Sequence, residues 1–383
     1  MRILYDYQVF QNQKYGGISK YFIELMTHFS PDVVFEIGLK YTNNIHILEM
    51  MDLPFDPLED FQIGFLKDSN FIGKGRITNL YSKLFPQKVK DCYKENLLSS
   101  LSLVEKEDYD VFHPTYYNPY FLDHIKKPFV ITIHDLIYEL FPEFFPPSDI
   151  TGQQKRKLIN NASHIIAVSN NTKSDLLKYY GIDESRITVI HHGITRFNSK
   201  EELNIKLPDR YLLYVGDRRG YKNFYFLLNS IADILEKNDL SIVCAGLPLT
   251  SDEKSMIDTL NISNRIFQHF ASENEMTILY RNAVAFIFPS LYEGFGMPIL
   301  EAFASNCPVL LSDSSCFNEI AGDAALYFDP KSKQDICKLV ERIALDQNVR
   351  ESLIIKGCER MKLFSWTDTA NKTHDVYSKV LSR

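Results

Sequence analysis

The 383-residue sequence is informative first for what it lacks. Its six cysteines, Cys92, Cys244, Cys307, Cys316, Cys337 and Cys358, are scattered and form no Cys-x-x-Cys pair. That spacing excludes a disulfide framework or a thiolate metal cage and suits a reducing compartment. No charged leader with a cleavage site stands before the opening "MRILYDYQVF", so no signal peptide is expected. No uncharged apolar run is long enough to span a bilayer. Basic residues are not in excess: the net charge of −7 argues against general nucleic-acid binding. Neither half opens with G-x-G-x-x-G and an acidic residue at the usual distance, which sets aside a nicotinamide dehydrogenase. Repeats of solenoid period and low-complexity tracts are missing too. A soluble, cytoplasmic, globular protein is the expectation.

What is there is ordinary globular composition, 45% hydrophobic and 24% charged, in a chain long enough for two domains. Short apolar runs alternate with amphipathic segments. "RILYDY" (2–7), "VVFEIGL" (33–39), "DVFH" (110–113), "FVITI" (129–133), "IIAVS" (165–169) and "ITVIH" (187–191) predict buried strands. Helical patterns at 18–29 and 170–181 lie between them, the second with Ser169 or Asn170 as cap and Gly181 as stop. A polar stretch, "TRFNSKEELNIKLPDR" (195–210), interrupts the alternation. It resumes with strands at 211–216, 241–246, 265–270, 284–290, 308–313 and 325–329. Such alternation predicts parallel sheets covered on both faces. The expected division is an N-terminal Rossmann-like domain over 1–195, a linker over 196–208, a second Rossmann-like domain over 209–364 and an appended helix over 365–383. Two α/β domains so joined would face each other across a cleft, with strand C-terminal ends lining it.

The stretch "PSLYEGFGMPILEAFA" (289–304) carries the chemistry. An apolar strand ends there in Gly294 and Gly296, and Pro298 is tolerated in the first turn of a helix. Glycines let a ligand approach the backbone, and the helix N-terminus adds partial positive charge, so phosphate oxygens fit there. Glu301, about one turn into the helix, is placed to accept hydrogen bonds from ribose hydroxyls, and Glu293 to hold another polyol. Carboxylates flanking a phosphate site make sense for a nucleotide-sugar. The cations it requires are offered by "YVGDRRGYKN" (214–223), where Arg218, Arg219 and Lys222 follow a strand's C-terminal end.

G-x-R-x-x-x-K-N followed by E-G-F-G-x-P-x-x-E-A resembles the retaining nucleotide-sugar glycosyltransferases of family 4, which have the two-domain GT-B fold. "YGGISKYF" (15–22), "ITIHDLIYELFPEFF" (131–145), "AVSNNTKSDL" (167–176) and "VIHHGI" (189–194) extend the resemblance over nearly the whole chain. It implies that Arg218 and Lys222 neutralise the donor pyrophosphate as the nucleoside diphosphate leaves. It also implies that amides around Phe295, Gly296 and Met297 bind the distal phosphate and sugar, that Glu293 holds sugar hydroxyls and that Glu301 takes the ribose. By the same resemblance Ala271 meets the base through its backbone, and Gly16 and Gly17 approach the phosphates from the first domain. His134 then lies beside the sugar, with Asp135 orienting its loop, and the last helix crosses back to the first domain. The family commonly has asparagine where this chain has His192. Arginine–lysine spacing varies among relatives, which leaves Arg218 and Arg219 as alternatives for the phosphate.

No cofactor and no metal are expected, because "DYD" (108–110) falls at a helix-to-strand junction without further hard oxygen ligands. Residues 61–104 interleave lysines such as Lys83, Lys88 and Lys90 with aromatics, which suits peripheral contact with anionic lipid at the inner face of the cytoplasmic membrane. The acceptor side is expected to take a glycan or polyprenyl-linked glycan. The style of the motifs is similar to bacterial O-antigen and capsule mannosyl- or rhamnosyltransferases, with GDP-mannose as the first donor. A nucleotide-sugar epimerase or hydrolase on the same scaffold and a non-catalytic glycan-binding protein are the alternatives.

Overall fold

Each apolar run expected as a strand forms one. The computed structural model describes residues 1–51, 55–58, 91–195 and 207–382. Most of the basic, aromatic stretch expected over 61–104, Lys83, Lys88 and Lys90 included, lies outside the described residues, as does most of the expected linker. The strands are β1 (Arg2–Tyr5), β2 (Val34–Ile37), β3 (Tyr41–Thr42), β4 (Asp56–Pro57), β5 (Val111–His113), β6 (Val130–Ile133), β7 (His164–Ala167) and β8 (Ile187–Val189). A second set follows: β9 (Tyr211–Val215), β10 (Ser241–Ala245), β11 (Ile266–His269), β12 (Ala285–Phe288), β13 (Val309–Ser312) and β14 (Leu326–Phe328). The short pair β3 and β4 has no counterpart in the apolar pattern. Expected burial fails at β2, an edge strand on which Val34 is 58% exposed.

Two compact units emerge. One comprises Met1–Thr132, Gln153–Ile166 and the chain from Ala370; the other comprises Ile133–Gly152 and Ala167–Thr369. In the first, parallel strands run in the order β2-β1-β5, and a bridge between Phe112 and Phe129 continues the ladder toward β6. Strands β6-β7-β8 form a further sheet. The helix Trp366–Leu381 enters the first unit at Ala370, where a buried polar chain holds it. The Tyr377 hydroxyl lies 3.1 Å from that of Tyr5 and 2.6 Å from Nδ1 of His113, whose Nε2 is 3.0 Å from the Thr132 hydroxyl. Buried polar groups need such partners, so this chain sets the helix's seating on the sheet.

The second unit is built on six parallel strands in the order β11-β10-β9-β12-β13-β14. Its strands are apolar on both sides because both sides are covered. Tyr211, Leu213, Val243, Phe286, Phe288 and Val309 pack on one face with the helices Glu273–Asn282, Met297–Ala304 and Phe317–Ala321. Leu212, Ile242, Cys244, Ile287 and Leu310 pack on the other with Phe224–Lys237 and Lys333–Leu345. Strand order reverses between β9 and β12. In open α/β sheets that reversal leaves a crevice beyond the strand C-termini, where ligands bind.

Residues 133–152 and 167–195, which the sequence grouped with the first sheet, fall in this second unit. The reason is visible at the start of the helix Asn170–Tyr180. Ser169 caps it, accepting from the Thr172 N–H, and donates its hydroxyl proton to the Gly294 carbonyl at 2.6 Å. Gly181, at φ 63°, ends the helix as expected.

Candidate active site

Two loops meet at the reversal point. After β9 the chain passes Gly216 (φ 105°) and makes a 3₁₀ turn over Gly220–Lys222; Asn223, in the left-handed region, then opens the helix Phe224–Lys237. After β12 it runs through Pro289–Gly296 into the helix Met297–Ala304, with Pro298 in the first turn. The Leu291 N–H donates to the Tyr221 carbonyl at 2.8 Å and joins the loops.

At this junction the Lys222 ammonium donates to Glu293 Oε1 at 2.6 Å. Both side chains are mostly buried, 17% and 15% exposed, so the pair is only weakly screened. Aromatic rings wall the ammonium: the centroids of Tyr221 and Phe288 lie 5.1 and 5.5 Å away. Burial, then the charges of Glu293 and Asp135, push the Tyr221 phenol well above its ordinary pKa. The Glu293 backbone is fixed as well, its N–H donating to Ser315 Oγ and its carbonyl accepting from Cys316 Sγ.

Arg218 is a buried cation. Its Nε and Nη2 donate to the two carboxylate oxygens of Glu253 at 2.9 and 3.1 Å, and Nη2 also reaches the carbonyls of Leu247 and Pro248. Burial acts to raise the Glu253 pKa, but hydrogen bonds from Arg218 and Thr250 outweigh it and hold the carboxylate below its usual range. Arg219 differs: it is exposed and pairs with Asp217 at 2.7 Å. Of the two alternatives for a phosphate ligand, Arg218 is anchored and Arg219 is spent on a solvent-facing neighbour.

Phe295, Gly296 and Met297 stand at the entry to the helix Met297–Ala304. Gly296 takes φ 89°, a conformation that suits glycine. Phe295 is buried, with its ring edge-on to His192 at 4.5 Å. His192 stacks at 6.0 Å on His134, which lies just past β6. Burial first, and then neighbouring His134 and His191, depress the His192 pKa well below its normal value. Glu301 lies inside the helix and accepts from the Tyr280 hydroxyl at 3.2 Å. Ala271 follows β11 and is partly buried against the sheet. Gly16 and Gly17 belong to the first unit, where they open the helix Gly17–Thr27.

Several participants escaped the sequence reading. Glu253 was legible only as half of a Thr-x-x-Glu capping box, which it forms with Thr250. Glu319 accepts from the N–H groups of Asn170 and Asn171 and lies 2.6 Å from Nε2 of His191, a network whose members are too far apart in sequence to form a motif. Asp175 accepts from Tyr292 at 2.7 Å. Among the described residues, no group of three or more His, Cys, Asp or Glu side chains is arranged to hold a metal.

Two family models cover this architecture in tandem: Glycosyltransferase Family 4 over residues 78–196, and Glycosyl transferases group 1 over residues 195–360. The chain thus carries a family 4 region followed by a group 1 region of the glycosyltransferases. Both loops of the site fall within the second matched region. The O-antigen chain mannosyltransferase RfbU of Salmonella typhimurium is 31% identical to this chain, over 56% of the chain and 61% of RfbU. The match therefore spans less than two thirds of that relative. O-antigen chain mannosyltransferase B of Escherichia coli is 25% identical over 72% of the chain and 76% of its own length. The fold is GT-B. The crystal structure of Anabaena Alr3699/HepE in complex with UDP-glucose aligns with a TM-score of 0.71 at 16% identity, covering 99% of this chain and 100% of that one. Among the described residues, no helix is long and apolar enough to cross a membrane.

Proposed function

We propose that this chain is a retaining glycosyltransferase that moves a hexosyl group from a nucleoside-diphosphate sugar to a hydroxyl of a glycan or lipid-linked glycan acceptor. The observation that carries the reading is the Lys222–Glu293 pair at the strand-order reversal, beside the N-terminus of the helix Met297–Ala304. An arriving diphosphate competes with Glu293 for Lys222, and the released carboxylate becomes available to sugar hydroxyls. Charge that grows on the departing diphosphate is met by the ammonium, by Arg218 and by the amides at Phe295, Gly296 and Met297. Glu301 takes the ribose and His134 stands beside the sugar. In the retaining mode the departing phosphate itself helps take the acceptor's proton, which agrees with a site whose carboxylates are engaged in holding hydroxyls.

The donor to test first is GDP-mannose, because proteins named as O-antigen mannosyltransferases are 31% and 25% identical to parts of the chain. UDP-glucose is second, since a protein of the same fold was crystallised with it. We place the reaction in surface polysaccharide synthesis, without a divalent ion, on the cytoplasmic side of the membrane; the lysine-rich composition of 61–104 supports peripheral contact there. The test is radiolabelled transfer from GDP-, UDP- and dTDP-sugars to polyprenyl-linked acceptors, with the product anomer read by NMR and a chelator arm included. Sugar-nucleotide turnover that needs no acceptor, an inverted product, or activity restored only by added magnesium or manganese would each overturn the corresponding part.

A further inference from the structure

The buried Arg218–Glu253 pair holds more than a resting place for a charge. Arg218 is 4% exposed and Glu253 2%. The carboxylate engages the guanidinium edge-on through Nε and Nη2, and the carbonyls of Leu247 and Pro248 hold Nη2 from behind. Glu253 is itself immobilised, because its Oε2 accepts from the Thr250 N–H at 2.8 Å and its own N–H donates to Thr250 Oγ1. The carboxylate side of this clamp is therefore fixed at the N-terminus of the helix Ser251–Thr259.

One donor is left over. Nη1 of Arg218 is buried and has no hydrogen-bond partner among the described residues. It lies beside Gly246, 3.8 Å from where a Cβ on that residue would stand, and the same Cβ would be 3.0 Å from the Gly216 carbonyl oxygen. The glycine after β10 thus leaves no side chain against Nη1, at the strand C-termini where open α/β sheets bind ligands. A buried charged donor without a partner is unfavourable, and an anion is the species that relieves it most fully.

Resting on the donor site proposed above, we propose that Glu253 is a positioning residue that locks the Arg218 guanidinium so that Nη1 is kept for a phosphate oxygen of the sugar donor. Glu253 also cancels much of the arginine's net charge, so Arg218 contributes a directed hydrogen bond more than a long-range field. Lys222 supplies the field.

A cycle of R218Q, E253Q and the double variant tests this, because glutamine keeps hydrogen bonding at each position and leaves no buried charge unpaired in the double variant. Binding of pyrophosphate, GDP and UDP is titrated below each variant's melting temperature, alongside K222M. R218Q and E253Q are each expected to weaken binding about tenfold, and the double variant no more than R218Q alone, as for residues acting as one unit. In turnover assays E253Q raises the donor KM while kcat falls less than threefold, a split that a merely structural role would not produce. Wild-type affinity in E253Q, or losses that multiply in the double variant, overturn the assignment. Binding lost in K222M but intact in R218Q overturns it while the proposed function stands. Unchanged affinity in K222M and R218Q alike sinks both.

Discussion

Gly294 lies so close to His134 that a Cβ built on it would stand 1.6 Å from the His134 carbonyl oxygen. The glycine between Glu293 and Phe295 is therefore a packing requirement as much as a turn requirement. Its own carbonyl accepts from Ser169 and Thr172, so the motif is gripped on both edges of one peptide. Through this contact the loop bearing Glu293 and the strand end bearing His134 are held in one register.

Gly294→Ala cannot be absorbed by a side-chain rotation, because the clash is with backbone. We expect a loss of about 3 kcal/mol in unfolding stability and a fall in kcat larger than any change in donor KM. Chemical denaturation and steady-state kinetics check this. A variant as stable and active as wild type would show that the loop and His134 are not packed as described.

Glu293→Gln removes the charge that pairs with Lys222 but keeps the shape. Lys222 then meets the donor diphosphate without a competitor. Nucleoside-diphosphate binding is expected to hold or tighten, while kcat with the complete sugar donor falls by about 10²-fold, as for loss of one placed transition-state contact. Isothermal titration with GDP and UDP beside turnover separates the two effects. Equal losses in both would mean that Glu293 serves nucleotide binding instead of the sugar.

Tyr280 is fully buried, and burial followed by the Glu301 charge pushes its phenol well above the usual range, so it stays a hydrogen-bond donor. Tyr280→Phe removes the hydroxyl that donates to the Glu301 carboxylate, at a cost of about 1 kcal/mol. The expected readout is a weaker preference for ribonucleotides over 2′-deoxyribonucleotides, by about fivefold. Unchanged discrimination would detach Glu301 from the ribose.

His192 makes stability depend on pH. Its folded pKa is depressed by burial, so it is neutral in the fold, whereas in the unfolded chain it binds a proton below about pH 6.5. The stabilisation is present above that value and is lost as the pH falls toward the folded pKa, at up to about 1.4 kcal/mol per pH unit. His192→Asn, the residue common at this place in the family, should flatten the loss between about pH 6.5 and 5. Glu319, whose pKa is lowered, acts at more acid pH and leaves that window to His192. Denaturant melts at stepped pH give the slope directly, and an identical slope in both proteins would contradict the buried neutral histidine.

Local pattern was enough for every strand except β3 and β4, for narrowing the cap to Ser169 or Asn170, for the stop at Gly181, and for the turn at Gly294–Gly296. Those features depend on residues within a few positions of one another: apolar runs, a hydroxyl before a helix, glycine where φ turns positive. Pairing Lys222 with Glu293 required more, because the 2.6 Å contact joins loops 71 residues apart. Nothing in the spacing said that Arg218 would be buried on Glu253 while Arg219 faced solvent. Both arginines follow the same strand, and the choice is made by the partner that β10 and its helix bring to the loop.

By itself the chain's order of residues determined the α/β alternation, the parallel sheets and the types of group at the site, because periodicity and turn chemistry are short-range properties. Only the tertiary structure decided which charges neutralise one another, where residues 133–152 and 167–195 belong, and that Gly294 is needed for close contact with His134. Those outcomes depend on desolvation and on distances between segments far apart in sequence, and such distances exist only once the sheet has set its strand order.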